Sequence, residues 1–146
     1  MKYATFLLAL ISLVVSGCSG KDPEPINYGK DNCAFCQMLI TDHRFGSELI
    51  SPKGKVFKFD SIECLVGYCQ MPGNYDDKES AVFVTSMIEP DKLFDARTGM
   101  FIVSNEIKSP MGAHLAVFRS HEKAIGTVKD KNAVHYNWTK LLKELK

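Results

Sequence analysis

The stretch Val56–Gln70 is Val-Phe-Lys-Phe-Asp-Ser-Ile-Glu-Cys-Leu-Val-Gly-Tyr-Cys-Gln, and its apolar period changes midway. Residues 56–60 alternate apolar and charged side chains, which predicts a half-buried β-strand. Ser61 is a favourable helix N-cap, and Glu63 would lie in the first helical turn. The following apolar residues fall on one face at helical spacing: Ile62, Leu65, Val66 and Cys69. The stretch therefore predicts a strand that leads directly into an amphipathic helix.

Short apolar runs on both sides of this stretch predict further strands. Residues 38–42 and 46–50 precede it, and the second of these is separated from it by the turn signal Pro52-Lys53-Gly54-Lys55. Met71-Pro72-Gly73 ends the helix, and the β-branched run 81–87 predicts the next strand. The first half of the chain thus has the order strand, strand, helix, strand.

A similar order recurs in the second half. Residues 100–103 and 115–119 predict two strands, and residues 120–126 predict a short capped helix that ends at a glycine. Residues 137–145 predict a final helix with four apolar side chains on one face, those of Trp138, Leu141, Leu142 and Leu145. The fold class is therefore α+β, built of two small units that are packed together or in tandem.

The N-terminus has the features of a bacterial lipoprotein signal. Lys2 is followed by an apolar run over residues 5–15, which is shorter than the roughly 20 residues of a membrane-spanning helix. Val15-Ser16-Gly17-Cys18 resembles a lipobox, so we expect a signal peptide over residues 1–17 and lipid on Cys18. Ser19 after the cysteine favours the outer membrane, by analogy with bacterial sorting. A plain signal peptide followed by a chance cysteine is the alternative.

The rest of the chain is expected to form one tethered domain. Residues 18–31 carry prolines and glycines among polar residues, which is typical of a flexible tether. Residues 32–146 would form the folded domain, with halves at about 32–90 and 91–146. The formal net charge of +1 gives no field that attracts nucleic acid or anionic lipid. Nucleophile-elbow, phosphate-loop and dinucleotide-binding motifs are absent from the sequence, so we do not expect an enzyme.

Cys33-Ala34-Phe35-Cys36-Gln37-Met38 places two thiols and a thioether within six residues. Thiolate and thioether sulfurs are soft ligands and favour Cu(I). If residues 38–42 form a strand, Cys36 and Met38 would present their sulfur atoms on the same side. Farther along the chain, Met111 lies between Pro110 and Gly112 in a predicted turn. His114 follows as the best auxiliary ligand, and His43 is a weaker candidate.

Other uses of the cysteines remain open. Cys33 and Cys36 could form a thiol–disulfide redox pair. A thioredoxin-like redox site requires a strand before the cysteines and a long helix after them, whereas here the predicted tether precedes them and a predicted strand follows. They could also form a structural disulfide in a tethered binding module. A zinc site with Cys64 and Cys69 is disfavoured, because five helical residues turn the side chains about 140° apart. Those two cysteines are expected to pack as small buried hydrophobes.

The chain resembles the NosL family, the lipoprotein accessory factors of nitrous oxide reductase. The residues that carry the resemblance are the lipobox ending at Cys18, Cys36-Gln37-Met38, Phe57-Lys58-Phe59-Asp60, and the run from Ser109 to Phe118. The resemblance implies two similar ββαβ-type halves and a periplasm-facing Cu(I) carrier. The implied partners are nitrous oxide reductase and a membrane maturation complex that contains an ABC transporter.

The same resemblance implies copper ligands. It assigns Cys36 and Met38 as ligands and makes Met111 a contributor from the second half. Cys33 departs from the commonest family pattern. It leaves open a two-thiolate site, or a site that a Cys33–Cys36 disulfide blocks.

Overall fold

The computed structural model describes residues 21–145, which form two antiparallel sheets and three α-helices. The strands are β1 Ser47–Ile50, β2 Val56–Phe59, β3 Ala81–Ser86, β4 Glu89–Asp95, β5 Met100–Val103, β6 Leu115–Phe118 and β7 Val134–Tyr136. The helices are α1 Ile62–Gln70, α2 His121–Thr127 and α3 Trp138–Glu144, and a 3₁₀ turn spans Ala96–Thr98.

The two halves share a ββαβ unit, to which the first half adds the edge strand β4. The first sheet has the strand order β2-β1-β3-β4, and the second has the order β6-β5-β7. In each half the first strand is central and pairs antiparallel with the next two strands of that half. A helix, α1 or α2, connects the second strand to the third. This arrangement confirms the α+β class and the expectation of two similar ββαβ-type halves.

Helix starts are equivalent in the two halves. The Ser61 hydroxyl accepts the Cys64 backbone N–H at 3.2 Å at the start of α1. At the start of α2, the Ser120 hydroxyl accepts the Lys123 N–H at 3.3 Å. Each capping serine satisfies a backbone donor that has no partner inside the helix. The predicted passage from strand to capped helix is therefore correct in both halves.

The halves are packed together through a shared core. Leu65 and Val66 of α1 belong to the same buried cluster as Phe101 of β5 and Trp138 of α3. A second cluster lies between α2 and the other face of the second sheet and includes Ile102, Ala116, Phe118 and Ala124. Because neighbouring strand residues point to opposite faces, β5 and β6 contribute side chains to both clusters.

Two strands of the structure, β4 and β7, were not predicted from the sequence. The β4 segment Glu-Pro-Asp-Lys-Leu-Phe-Asp looks like a turn because it contains Pro90 and several charges. It is an edge strand, where a missing N–H can be tolerated, and it pairs only with β3 among the described residues. The other missed strand, β7, is three residues long, too short for an alternating pattern to be recognised.

The predicted strand at residues 38–42 is wrong. Leu39 makes only an isolated bridge to Asn32, and Gln37 has the left-handed φ of 65°. The chain reverses direction between these positions, with the Cys33 N–H donating to the Met38 carbonyl at 2.8 Å. The reversal excludes the extended geometry on which the expected alignment of Cys36 with Met38 depended.

Part of the expected tether packs against the first sheet. The Glu24 N–H donates to the Glu48 carboxylate at 3.0 and 3.2 Å. The Lys58 ammonium donates to the Pro25 carbonyl at 2.8 Å and pairs with Asp31 at 3.0 Å. Residues 24–31 are therefore a docked N-terminal segment rather than a free linker. The lipobox and Cys18 lie outside the described residues.

Over residues 21–145, none of the helices combines the length and apolar character needed to cross a bilayer.

The buried Glu48 carboxyl should make stability depend on pH. Burial on the central strand raises its pKa from 4.5 to about 7, against the opposing effects of the Glu24 N–H and Lys58. The folded state therefore binds a proton more tightly than the unfolded chain does. The contribution of Glu48 to the free energy of unfolding should fall as pH rises from about 4.5 through 7, by up to about 3 kcal/mol.

Urea unfolding of the wild type and of Glu48→Gln at pH 5 and pH 8 measures this effect. The wild type should lose stability relative to the variant between the two pH values. Equal changes in both proteins would show that Glu48 does not titrate in this window.

Candidate metal centre

The cysteine loop, residues 33–38, is a tight turn between the N-terminal segment and the first sheet. The Gln37 N–H donates to the Cys33 carbonyl at 3.0 Å, and the Gln37 side-chain amide donates to the Ala34 carbonyl at 3.3 Å. The Ala34 N–H donates to the Lys58 carbonyl of β2 at 2.8 Å, which fixes the loop to the sheet. Two cysteines three residues apart are thereby held on one side of a turn.

The loop brings its cysteines to the start of α1. One ligand atom each from Cys33, Cys36, Asp60 and Cys64 lies within 4.8 Å of the others. We call these four residues the cysteine cluster. Cys33, Asp60 and Cys64 are buried, and Cys36 is half-buried. All four cysteines of the described residues are free thiols. Three sulfur atoms at this separation could hold a single soft metal ion.

Hydrogen bonds favour a thiolate at Cys33. The Cys64 thiol donates to the Cys33 sulfur, and this bond is the main reason that the pKa of Cys33 is lowered to about 6. Burial opposes the shift, whereas the backbone N–H groups of Phe35, Cys36 and Asp60 support it. A sulfur surrounded by N–H donors is stabilised in its charged form, which is the form that binds metal.

The other two thiols keep their protons more strongly. Burial raises the pKa of Cys36, and the hydrogen bond to Cys33 raises that of Cys64. A metal ion that binds all three sulfurs would therefore displace protons from Cys36 and Cys64.

Asp60 adds an acidic group to the cluster. Its Oδ1 atom is buried and has no hydrogen-bond partner. Leaving a buried carboxylate oxygen unpaired is costly unless a cation or a proton donor meets it. The carboxylate also bonds to the Cys64 thiol and helps to raise the pKa of that thiol. A buried acidic group beside three sulfurs suits a site that receives a positively charged ion.

Cys64 and Cys69 have different surroundings, as the helical spacing predicts. Cys69 is buried on α1 outside the cysteine cluster, and burial raises its pKa to about 12. Its expected role as a small buried hydrophobe fits this position. For Cys64 that expectation was incomplete, because its sulfur joins Cys33 and Cys36. The sequence shows only that Cys64 is the third residue of the predicted helix. Its approach to Cys33 and Cys36 is a tertiary contact, which the sequence pattern does not reveal.

Met38 lies at the open side of the cysteine loop. Its backbone N–H is directed at the Cys36 sulfur, and the residue is 57% exposed. An exposed thioether on this loop is accessible to an incoming ion or protein. The turn keeps the Met38 backbone at the Cys36 sulfur, and the role of Met38 as a ligand stays a prediction.

Met111 and His114 belong to the second half, in what we call the methionine loop, residues 109–114. The Gly112 N–H donates to the Ser109 carbonyl at 3.1 Å, closing a turn with Pro110 and Met111 at its centre. Met111 is 43% exposed and lines a groove of about 190 Å³ together with Glu63, Val66, Gly67, Gln70, Ala113 and Leu145. Met111 therefore lies along α1, the helix that carries Cys64.

Both candidate histidines lie outside the cysteine cluster. The Nδ1 atom of His114 is 2.7 Å from the Ile107 carbonyl, so Nδ1 carries the proton and Nε2 is the nitrogen free to bind metal. The other candidate, His43, stacks on Tyr28 and pairs with Asp91 in a different part of the fold.

Fold and site together define a small α+β protein of two similar halves with a thiol-rich cluster suited to a soft metal ion. The sequence model of the NosL family matches residues 26–145, and the chain belongs to that family.

Two known proteins are similar to this chain. A protein of Stutzerimonas stutzeri described as "Copper-binding lipoprotein NosL" is 29% identical over 133 residues, covering 82% of this chain and 70% of the relative. The crystal structure of the copper chaperone NosL from Shewanella denitrificans superposes with a TM-score of 0.70 at 22% identity. That match covers 82% of this chain and 95% of the other, and it shows that the two share a fold.

Proposed function

We propose that this chain is an exported, lipid-anchored Cu(I) metallochaperone that supplies copper for the maturation of nitrous oxide reductase. The observation that carries the proposal is the cysteine cluster, with three free thiols and one carboxylate within 4.8 Å of one another. Family membership and the copper-binding description of the Stutzerimonas stutzeri relative support copper as the cargo. Sulfur ligands favour the Cu(I) state.

The proposed ligands lie on two sides of the site, one buried and one open to solvent. Cys33 and Cys64 are buried, and Cys33 is the sulfur best prepared to bind as a thiolate. Cys36 and Met38 provide the exposed side. Met111 and the Nε2 of His114, a residue that lies outside the cysteine cluster, are the candidate ligands that the second half would bring to the ion.

An open side suits a carrier better than a permanent store. A ligand from a partner protein can bind the ion next to Met38 before the buried thiolates release it. The ion then passes between proteins without becoming free in solution.

The lipobox ending at Cys18 supports an anchor on the periplasmic face of a membrane, and Ser19 favours the outer membrane. The description of the Stutzerimonas stutzeri relative as a lipoprotein supports the anchor. Anchoring raises the effective concentration of the carrier near membrane partners. By family resemblance those partners are nitrous oxide reductase and a maturation complex that contains an ABC transporter.

The decisive experiment is a Cu(I) titration of the reduced protein against a chromophoric Cu(I) chelator. We expect tight binding of one ion. Absence of competition with the chelator would refute the carrier function.

The same titration tests the role of the exposed thioether. Met38→Leu should weaken Cu(I) binding on the order of tenfold, because it removes a neutral sulfur ligand and retains a similar volume. The matched control is Met71→Leu, since Met71 is also exposed, at 48%, but lies at the other end of α1. Equal affinities for Met38→Leu and the wild type would remove Met38 from the ligand set.

A thiol–disulfide redox protein is the second candidate, favoured by the lowered pKa of Cys33 next to Cys36. This function predicts that Met38 and Met111 can both be replaced by leucine without consequence. It also predicts a Cys33–Cys36 disulfide that forms and breaks within the reduction potentials of the periplasm.

A further inference from the structure

We propose that Glu63 is a positioning residue that holds Met111 at the copper site by fixing the methionine loop of the second half onto α1. The inference rests on the proposed Cu(I) function. Glu63 does not touch the ion in this assignment and acts through Met111.

The contact between Glu63 and the methionine loop is direct. The Ser109 hydroxyl donates a hydrogen bond to Glu63 Oε1, and it accepts the Leu115 backbone N–H at 3.3 Å. The Ser109 hydroxyl therefore links both ends of the loop to one carboxylate of the first half. Met111 lies at the centre of the turn that Ser109 begins.

Glu63 is placed to transmit this restraint to the cluster. It precedes Cys64 in sequence and lines the groove along α1 together with Met111. Its Oε2 atom is buried and has no hydrogen-bond partner. Burying a carboxylate that is only partly satisfied is costly, so the Ser109 bond is important for the placement of this side chain.

Comparison of the two halves separates this role from ordinary helix capping. Glu122 is the second residue of α2, as Glu63 is of α1, and both follow a capping serine. An acidic residue in the first turn interacts favourably with the helix N-terminus, which explains Glu122 fully because it is exposed. Glu63 is half-buried and bonded to the other half, so it does more than stabilise its helix end.

The positioning role has practical consequences for Cu(I) binding. A flexible turn would have to be ordered each time Met111 joined the ion, and the ordering would weaken binding. Groups that orient a metal ligand are commonly worth 10–100-fold in affinity. We expect Glu63→Ala and Met111→Leu each to weaken Cu(I) binding about tenfold, and the double variant to bind no more weakly than either single variant.

The double-mutant cycle is measured by chelator-competition titrations of the full chain, reduced and loaded with Cu(I). The wild type, the two single variants and the double variant are each titrated. Glu63→Gln should restore near wild-type affinity, since its amide oxygen can accept the Ser109 hydroxyl. Glu122→Ala is the matched control and should bind Cu(I) as the wild type does. Ser109→Ala removes the same hydrogen bond from the side of the second half. It replaces Glu63→Ala in the cycle if Glu63→Ala does not fold.

A second readout follows Met111 itself. In protein labelled at the methionine methyl groups, the Met111 resonance should shift on Cu(I) binding in the wild type and in Glu63→Gln. In Glu63→Ala or Ser109→Ala the shift should be lost or much reduced.

The outcomes distinguish the two levels of the proposal. If the wild type does not bind Cu(I), the proposed function and the positioning role both fail. If it binds and the losses from Glu63→Ala and Met111→Leu add independently, the positioning role alone is refuted. An unchanged affinity in Met111→Leu also refutes it, since Glu63 would then have no ligand to position.

Discussion

Replacing Cys33 with serine should weaken Cu(I) binding by at least about 100-fold. Cys33 is the cluster sulfur with the lowered pKa, and it is held by the Cys64 thiol and three backbone N–H groups. Serine retains the size and some of the hydrogen bonds but offers a hard, protonated oxygen. Loss of a group that only orients a metal ligand typically lowers metal affinity by about 10–100-fold. Loss of the thiolate ligand itself should lower the affinity at least as much.

Cys69→Ser is the matched control for this experiment. Cys69 is also buried but lies outside the cysteine cluster. Its replacement should lower stability and leave Cu(I) affinity within about twofold, since no sulfur of the cluster changes. Chelator-competition titrations of the two variants give the comparison. Similar affinity losses in both would mean that the effect is general destabilisation and that Cys33 is not a ligand.

Replacing Trp138 with alanine should lower the free energy of unfolding by about 3–5 kcal/mol, the usual range for a buried aromatic residue. Trp138 is 2% exposed and packs against the Phe101 ring with centroids 5.9 Å apart. Its Nε1–H donates to the Tyr75 hydroxyl at 3.0 Å, which links α3 to the segment between α1 and β3. The variant therefore loses both packing and a hydrogen bond between the halves.

Urea unfolding monitored by circular dichroism measures this loss. Trp138→Phe keeps most of the apolar volume and should lose less than Trp138→Ala. A change below about 1 kcal/mol in Trp138→Ala would show that the shared core does not depend on α3.

Much of the local structure was predictable because local interactions determine it. Alternating side chains over residues 56–59 and the helical spacing that follows Ser61 require no knowledge of the rest of the chain. The same holds for the capped helix after Ser120. The sequence also determined which candidate sulfur ligands are available, since Cys33, Cys36 and Met38 are neighbours in the chain.

Only the tertiary structure decided how these candidate ligands are assembled. The cysteine loop folds back as a turn because Cys33 bonds to Met38, and no pattern of apolar residues signals such a reversal. Cys64 and Asp60 join the cluster because α1 begins where that loop docks on β2. The methionine loop reaches α1 through Ser109 and Glu63, which are 46 residues apart. Contacts across such distances depend on how the halves pack, whereas periodicity and capping record only the conformation of neighbouring residues.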